Sequence, residues 1–270
     1  SPLPRGLRLS VHKPRLDPRP ILTMDMPWEG VLAGGGSLFD EEGSFRLYYE
    51  CRPLGAGSDS WAVAYAESDN GSEWVKPNLG IVEFAGSKNN NLVFDASVAG
   101  RSLRGVSVFR DYIAETARRF KLVYRGPYLK RSAMFVAVSA DGLRWDPCEG
   151  PALSGKGNGD TTFAGFDTDR GKYFAYLDVQ TEGRRTIALT ESHSFEKWAA
   201  PVTVACPDPD GDVDYGSVST GYARWPGADA YLMFQDYRPG GTGPGVMRML
   251  TSRDGLSWRA QLGDPLINTV

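Results

Sequence analysis

The chain has 270 residues, 41% hydrophobic and 23% charged, and its 30 basic and 33 acidic side chains leave a formal net charge of −3. That balance offers no basic excess for a nucleic-acid backbone, and no apolar run approaches the roughly 20 residues that span a bilayer. Two histidines and three scattered cysteines (Cys51, Cys148 and Cys206) give neither a histidine-rich metal site nor a disulfide framework, so the cysteines are expected as buried free thiols.

Glycine (32) and proline (18) are plentiful and punctuate a pattern that repeats along the chain. Residues 7–11 offer one strand. Residues 37–49 form the first hairpin, with an aromatic-rich return strand. A strand over 61–66 then runs into Ser68-Asp69-Asn70-Gly71-Ser72-Glu73-Trp74. The second unit has a hairpin over 106–124, a strand over 134–138 and the turn Ser139-Ala140-Asp141-Gly142-Leu143-Arg144-Trp145. Within it, the helix-like run 113–119 is too short to be more than a turn. The third has a hairpin over 163–177 turning at Asp169-Arg170-Gly171, a strand over 185–189 and a degenerate copy of the turn, Ser192-His193-Ser194-Phe195-Glu196-Lys197-Trp198. The fourth has a hairpin over 217–234 turning at Pro226-Gly227-Ala228, a strand over 246–250 and Ser252-Arg253-Asp254-Gly255-Leu256-Ser257-Trp258.

Each unit is therefore a four-stranded antiparallel meander in which an Asp-Gly type turn precedes a tryptophan. Repeated meanders of this kind bury both faces by packing radially as propeller blades. The expected fold is all-β, one β-propeller domain over 1–270. Four units are clear, and a fifth is incomplete or built from the termini, which supply short strands over 7–11 and 259–270. A two-sheet sandwich does not explain why the same turn returns once per unit. Trp74, Trp145, Trp198 and Trp258 recur with it and are read as structural.

These turns, with Trp74-Val75-Lys76-Pro77-Asn78-Leu79-Gly80, Asn89-Asn90-Asn91-Leu92-Val93 and Met26-Pro27-Trp28-Glu29, resemble the five-bladed β-propeller glycoside hydrolases of families 43 and 32, in a bacterial subgroup. The resemblance implies a ring whose inner strands carry acids from different blades to one mouth. It implies carboxylate acid–base cleavage of a glycosidic bond in an oligo- or polysaccharide. On that footing Asp160, in Gly159-Asp160-Thr161-Thr162, matches the family 43 position that tunes the acid's pKa. Asp214, in Gly211-Asp212-Val213-Asp214-Tyr215, stands where the clan opens a blade with its general acid, with a shorter arm than the usual Glu. Glu29 stands on the approach to the first blade, where the clan's base or nucleophile sits. Trp28, Arg52, Arg104, Arg125 and Tyr215 are the candidate sugar contacts. Asp111 is expected as a turn residue. Glu50-Cys51 matches the Glu-Cys dipeptide of the family 32 acid but lies in a different blade, and is read as coincidence.

The resemblance implies no required cofactor and allows a divalent cation on the axis. It implies a carbohydrate partner, and a secreted or periplasmic protein if a leader has been removed. A non-catalytic carbohydrate-binding propeller is the alternative, favoured by the imperfect acid pattern.

Overall fold

The computed structural model describes residues 14–41, 43–57, 59–155, 159–181, 184–205, 220–225, 230–237, 246–260 and 267–268. Asp214, Tyr215 and Cys206 lie outside them, as does the strand expected over 7–11.

Four antiparallel sheets follow one another along the chain. The first holds β1 (Val31–Glu41), β2 (Ser44–Arg52), β3 (Ala62–Ser68) and β4 (Leu92–Phe94). The second holds β5 (Arg104–Arg110), β6 (Phe120–Tyr128) and β7 (Arg131–Ser139), with two short strands, β8 (Asp146–Pro147) and β9 (Leu153–Ser154), both on β7. The third is β10 (Asp160–Asp167), β11 (Lys172–Thr181), β12 (Arg184–Ser192) and β13 (Val202–Ala205). The fourth is β14 (Thr220–Arg224), β15 (Tyr231–Tyr237) and β16 (Val246–Ser252), with β17 (Arg259–Ala260) and β18 (Ile267–Asn268) both on β16. The C-terminal strands expected to contribute to a fifth unit thus join the fourth. A 3-10 turn at Thr116–Arg118 occupies the helix-like run.

Strand alternation explains why the sheets stack as blades. Successive side chains of a strand point to opposite faces. Tyr48 therefore packs toward the second sheet, against a cluster with Phe120, Leu122, Tyr124 and Phe135. Its neighbours Tyr49 and Cys51 pack on the other face with Ala62, Ala64 and Leu92. The seam between the second and third sheets is filled by Val123, Met134, Val136, Ala175, Leu177 and Phe195. The next is filled by Phe174, Tyr176, Ile187, Leu189, Met233 and Leu250. Fully burying a large apolar side chain is worth roughly 1.5–3 kcal/mol, so these seams hold the ring together.

The first strand of each sheet lies at the hub, and β1, β5, β10 and β14 pack against one another in that order. Two serines at the same register bridge them. Ser37 Oγ accepts the Val108 N–H at 2.7 Å, and Ser107 Oγ accepts the Ala164 N–H at 2.9 Å. Ser37 faces Tyr48 in its own sheet and Ser107 faces Val123 in the next.

The recurrent turns lie at the other end of the blades and latch neighbours together. Ser139 Oγ accepts the Gly142 N–H, while Asp141 accepts those of Leu143 and Arg144 at 2.8 Å each. Ser252 and Asp254 repeat the arrangement, as do Ser68 and Asn70. The indoles of Trp74 and Trp258 donate back to the Gly71 and Gly255 carbonyls at 3.1 Å. The second unit's turn docks on the first blade, where Arg46 donates to the Asp141 carbonyl at 2.8 Å. The fourth unit's turn docks on the third, where Tyr176 donates to the Gly255 carbonyl at 2.9 Å. In the degenerate copy Phe195 takes the glycine position at φ +63°. That conformation disfavours a side chain, and burial of its ring against Phe109, Tyr173 and Trp198 offsets the strain.

Candidate active site

Chain direction puts the starts of the hub strands and the ends of the second strands at one mouth of the ring, opposite the tryptophan turns. Register aligns those second strands closely. Phe45, Phe120, Tyr173 and Tyr231 each pair with the serine that opens the recurrent turn. Five residues on, the equivalent positions are Glu50, Arg125, Asp178 and Asp236, all charged.

Glu50 meets the hub strand of the next blade. The β5–β6 ladder shifts register between Arg104 and Ser107, a bulge that leaves the Gly105 and Val106 N–H groups without ladder partners. Glu50 supplies them: Oε1 accepts the Val106 N–H at 2.6 Å and Oε2 accepts the Gly105 N–H at 3.2 Å. Gly105 adopts φ +59°, and a Cβ there would stand 2.9 Å from the Thr161 nitrogen and 3.0 Å from the Asp160 Cβ. Only glycine allows the first three blades to close this tightly at the mouth.

The Glu50 side chain is 4% exposed. Burial pushes its pKa up to about 7; the Val106 N–H opposes the rise, the nearby Asp160 charge adds to it, and the Gly105 N–H and Arg104 oppose it. Asp160 opens β10 and pairs with the Arg125 guanidinium at 2.8 Å, both side chains about one-third exposed. A carboxyl that holds its proton near neutral pH therefore sits beside one tied to an arginine.

Arg125, the partner of Asp160, also lines a cleft of about 310 Å³ together with Asp59, Ser102, Arg104 and Ser132. Beside it the buried Trp61 ring carries two guanidinium groups, Arg52 at 5.2 Å and Arg104 at 5.3 Å from its centre. Among the described residues no group of three or more His, Cys, Asp and Glu side chains is arranged to hold a metal ion.

The sequence expectation gathers Glu29 and Trp28 at this mouth with Asp160, Arg52, Arg104 and Arg125. The structure brings the last four together, whereas the side chains of Glu29 and Trp28, just ahead of β1, are engaged on the other face of the first sheet. Glu29 is 1% exposed and held by the Tyr49 hydroxyl, the Met26 N–H at 3.2 Å and Lys76 Nζ at 2.6 Å. Tyr49 and Glu50 are adjacent in β2, so Glu29 and Glu50 stand on opposite faces of the first sheet. Trp28 packs edge-on to Phe84 and donates to Asn91 Oδ1 at 2.8 Å. Asp111 lies at the far end of its strand, capping the loop through the Ile113 and Ala114 N–H groups. Glu50, set aside in the sequence as a coincidental Glu-Cys match in a different blade, is instead brought to this mouth by its second-strand position, which is charged in all four units.

No family sequence model matches the chain, and no curated protein matches it in sequence. Solved structures do. A thermostable family-43 glycoside hydrolase matches with TM-score 0.61 and 14% identity over 91% of this chain and 77% of that one. A GH32 beta-fructofuranosidase of Bombyx mori matches with TM-score 0.59 and 12% identity over 84% of this chain and 47% of that one. The chain has the fold of the glycoside hydrolase β-propellers. An N-acetylgalactosamine deacetylase from F. plautii, in complex with blood group B trisaccharide, also matches, with TM-score 0.61 and 13% identity over 83% of this chain. This chain covers 66% of that one, just under two-thirds of its length. At such identities the likeness is one of fold, and the propeller's chemistry has to come from its own mouth.

Proposed function

We propose that this propeller acts on an oligo- or polysaccharide by carboxylate acid–base hydrolysis at the mouth formed by Glu50, Asp160, Arg104 and Arg125. Glu50 is the proton donor: the observation that carries the proposal is its placement, almost fully buried against the start of the next hub strand beside Asp160, where burial raises its pKa to about 7. Asp160 keeps the role the resemblance implies for it, since its charge helps to raise the Glu50 pKa. Asp214, expected from the sequence as the general acid, lies outside the described residues; with Glu50 as proton donor it is proposed instead as the complementary carboxylate, and Tyr215 as a sugar contact. Glu29 and Trp28 serve the first blade's packing. The five-bladed form of the ring belongs to the same proposal.

The test is a panel of plant and microbial oligosaccharides, assayed for binding by calorimetry and for cleavage by product analysis. Expected are cleavage of at least one member, its loss in Glu50→Gln with binding retained, and a rate that falls as pH rises through 7. Binding without cleavage of any member replaces hydrolysis with a carbohydrate-binding role. No binding at all removes the carbohydrate reading.

A further inference from the structure

We infer that the saccharide taken at this mouth carries an anionic substituent, a uronate carboxylate or a sulfate, seated against Arg104; the inference rests on the carbohydrate reading above. Arg104 lines the cleft and is exposed. Among the described residues it has no ion pair and no hydrogen bond, and its guanidinium is held against the face of Trp61. Arg52 lies against the same indole. It donates to the Ala56 carbonyl at 2.8 Å, while its buried Nε finds no partner among the described residues. Two like charges on one buried ring repel each other, and an anion beside them removes that penalty.

The acids at the mouth do not neutralise this pair. Asp160 is engaged by Arg125. Glu50 is turned to the backbone of Gly105 and Val106. Asp59, which also lines the cleft, is exposed and makes no ion pair among the described residues. Arg125, which also lines the cleft, is paired with Asp160, and its buried Nε has no partner among the described residues. A lining rich in donors matches a ligand rich in acceptors. The planar guanidinium fork, fixed in place by the indole, fits a carboxylate or sulfate with two parallel hydrogen bonds.

The test is calorimetric titration of the whole chain with trisaccharides of galacturonate and glucuronate, with their neutral galactose and glucose counterparts, and with a sulfated galactose trisaccharide. At least one acidic trisaccharide is expected to bind tenfold or more tightly than its neutral counterpart. The preference should shrink as salt rises. The uronate and sulfate arms tell the two sources of anion apart. Arg104→Gln, at an exposed position, should lose most of the preference while Arg104→Lys keeps part of it. Equal or tighter binding of the neutral sugars, or a preference indifferent to both salt and Arg104→Gln, overturns the anionic inference and leaves the carbohydrate reading standing. If no trisaccharide binds, the anionic inference falls, and the oligosaccharide panel above decides the carbohydrate reading separately.

Discussion

Replacing Glu50 with glutamine tests the protonated carboxyl independently of any substrate. In the folded chain the Glu50 pKa lies near 7, against an ordinary value of 4.5. Between those values the folded state holds a proton that the unfolded state has released. Its contribution to stability is complete below pH 4.5 and is lost as pH rises through 7. The shift corresponds to about 3 kcal/mol. Glutamine carries no such proton, so the variant should lack this loss. It has one acceptor oxygen where Glu50 uses two, which costs roughly 1–3 kcal/mol for the unmatched backbone donor. Wild type is therefore expected to be the more stable at pH 4.5, with the advantage gone or reversed by pH 8. Urea unfolding at several pH values measures both curves. Parallel curves across that range would refute the buried, proton-holding carboxyl and with it the assignment of the acid.

Three further substitutions probe the frame. Gly142 sits at φ +79°, and a Cβ there would lie 2.6 Å from the Tyr48 hydroxyl. Gly142→Ala should cost at least about 1–3 kcal/mol in denaturant unfolding by straining the latch between the first two blades. Lys76→Met leaves the buried Glu29 carboxylate beside Asp25 without its cation. A loss of about 3–5 kcal/mol is expected, partly recovered when Glu29→Gln is added. Ser37→Ala orphans the Val108 N–H at the hub, for a loss of roughly 1–3 kcal/mol seen as a lowered urea midpoint.

The blades were legible because their signals are local. Alternation marked the strands, and Asp-Gly steps marked the turns whose glycines sit at positive φ. Even the degenerate turn at Phe195 was readable, since its serine and tryptophan hold the frame while tertiary packing carries the strained residue. The mouth was less legible because it depends on register between strands far apart in sequence. Scanning the starts of hub strands found Asp160 and Arg104. Glu50 carried a Glu-Cys signature but lies at the end of a second strand of the first blade, and it reaches the mouth only through a bulge in the next blade. Glu29 looked suitable in sequence because it precedes the first hub strand beside a tryptophan. The contacts that hold it, to Tyr49 and Lys76, come from 20 and 47 residues away. No periodicity in the chain announces them.

The pairing of Glu50 with the Gly105 backbone, and of Arg125 with Asp160, has a consequence for how such chains can be recombined. Each pair straddles two consecutive repeats, so exchanging whole blades at their connecting loops would separate both partners. Crossovers placed in the tips of the first hairpins would instead carry Glu50 and Gly105 together on one contiguous fragment. The inheritable cassette of the mouth is offset by one strand from the blade that the eye picks out.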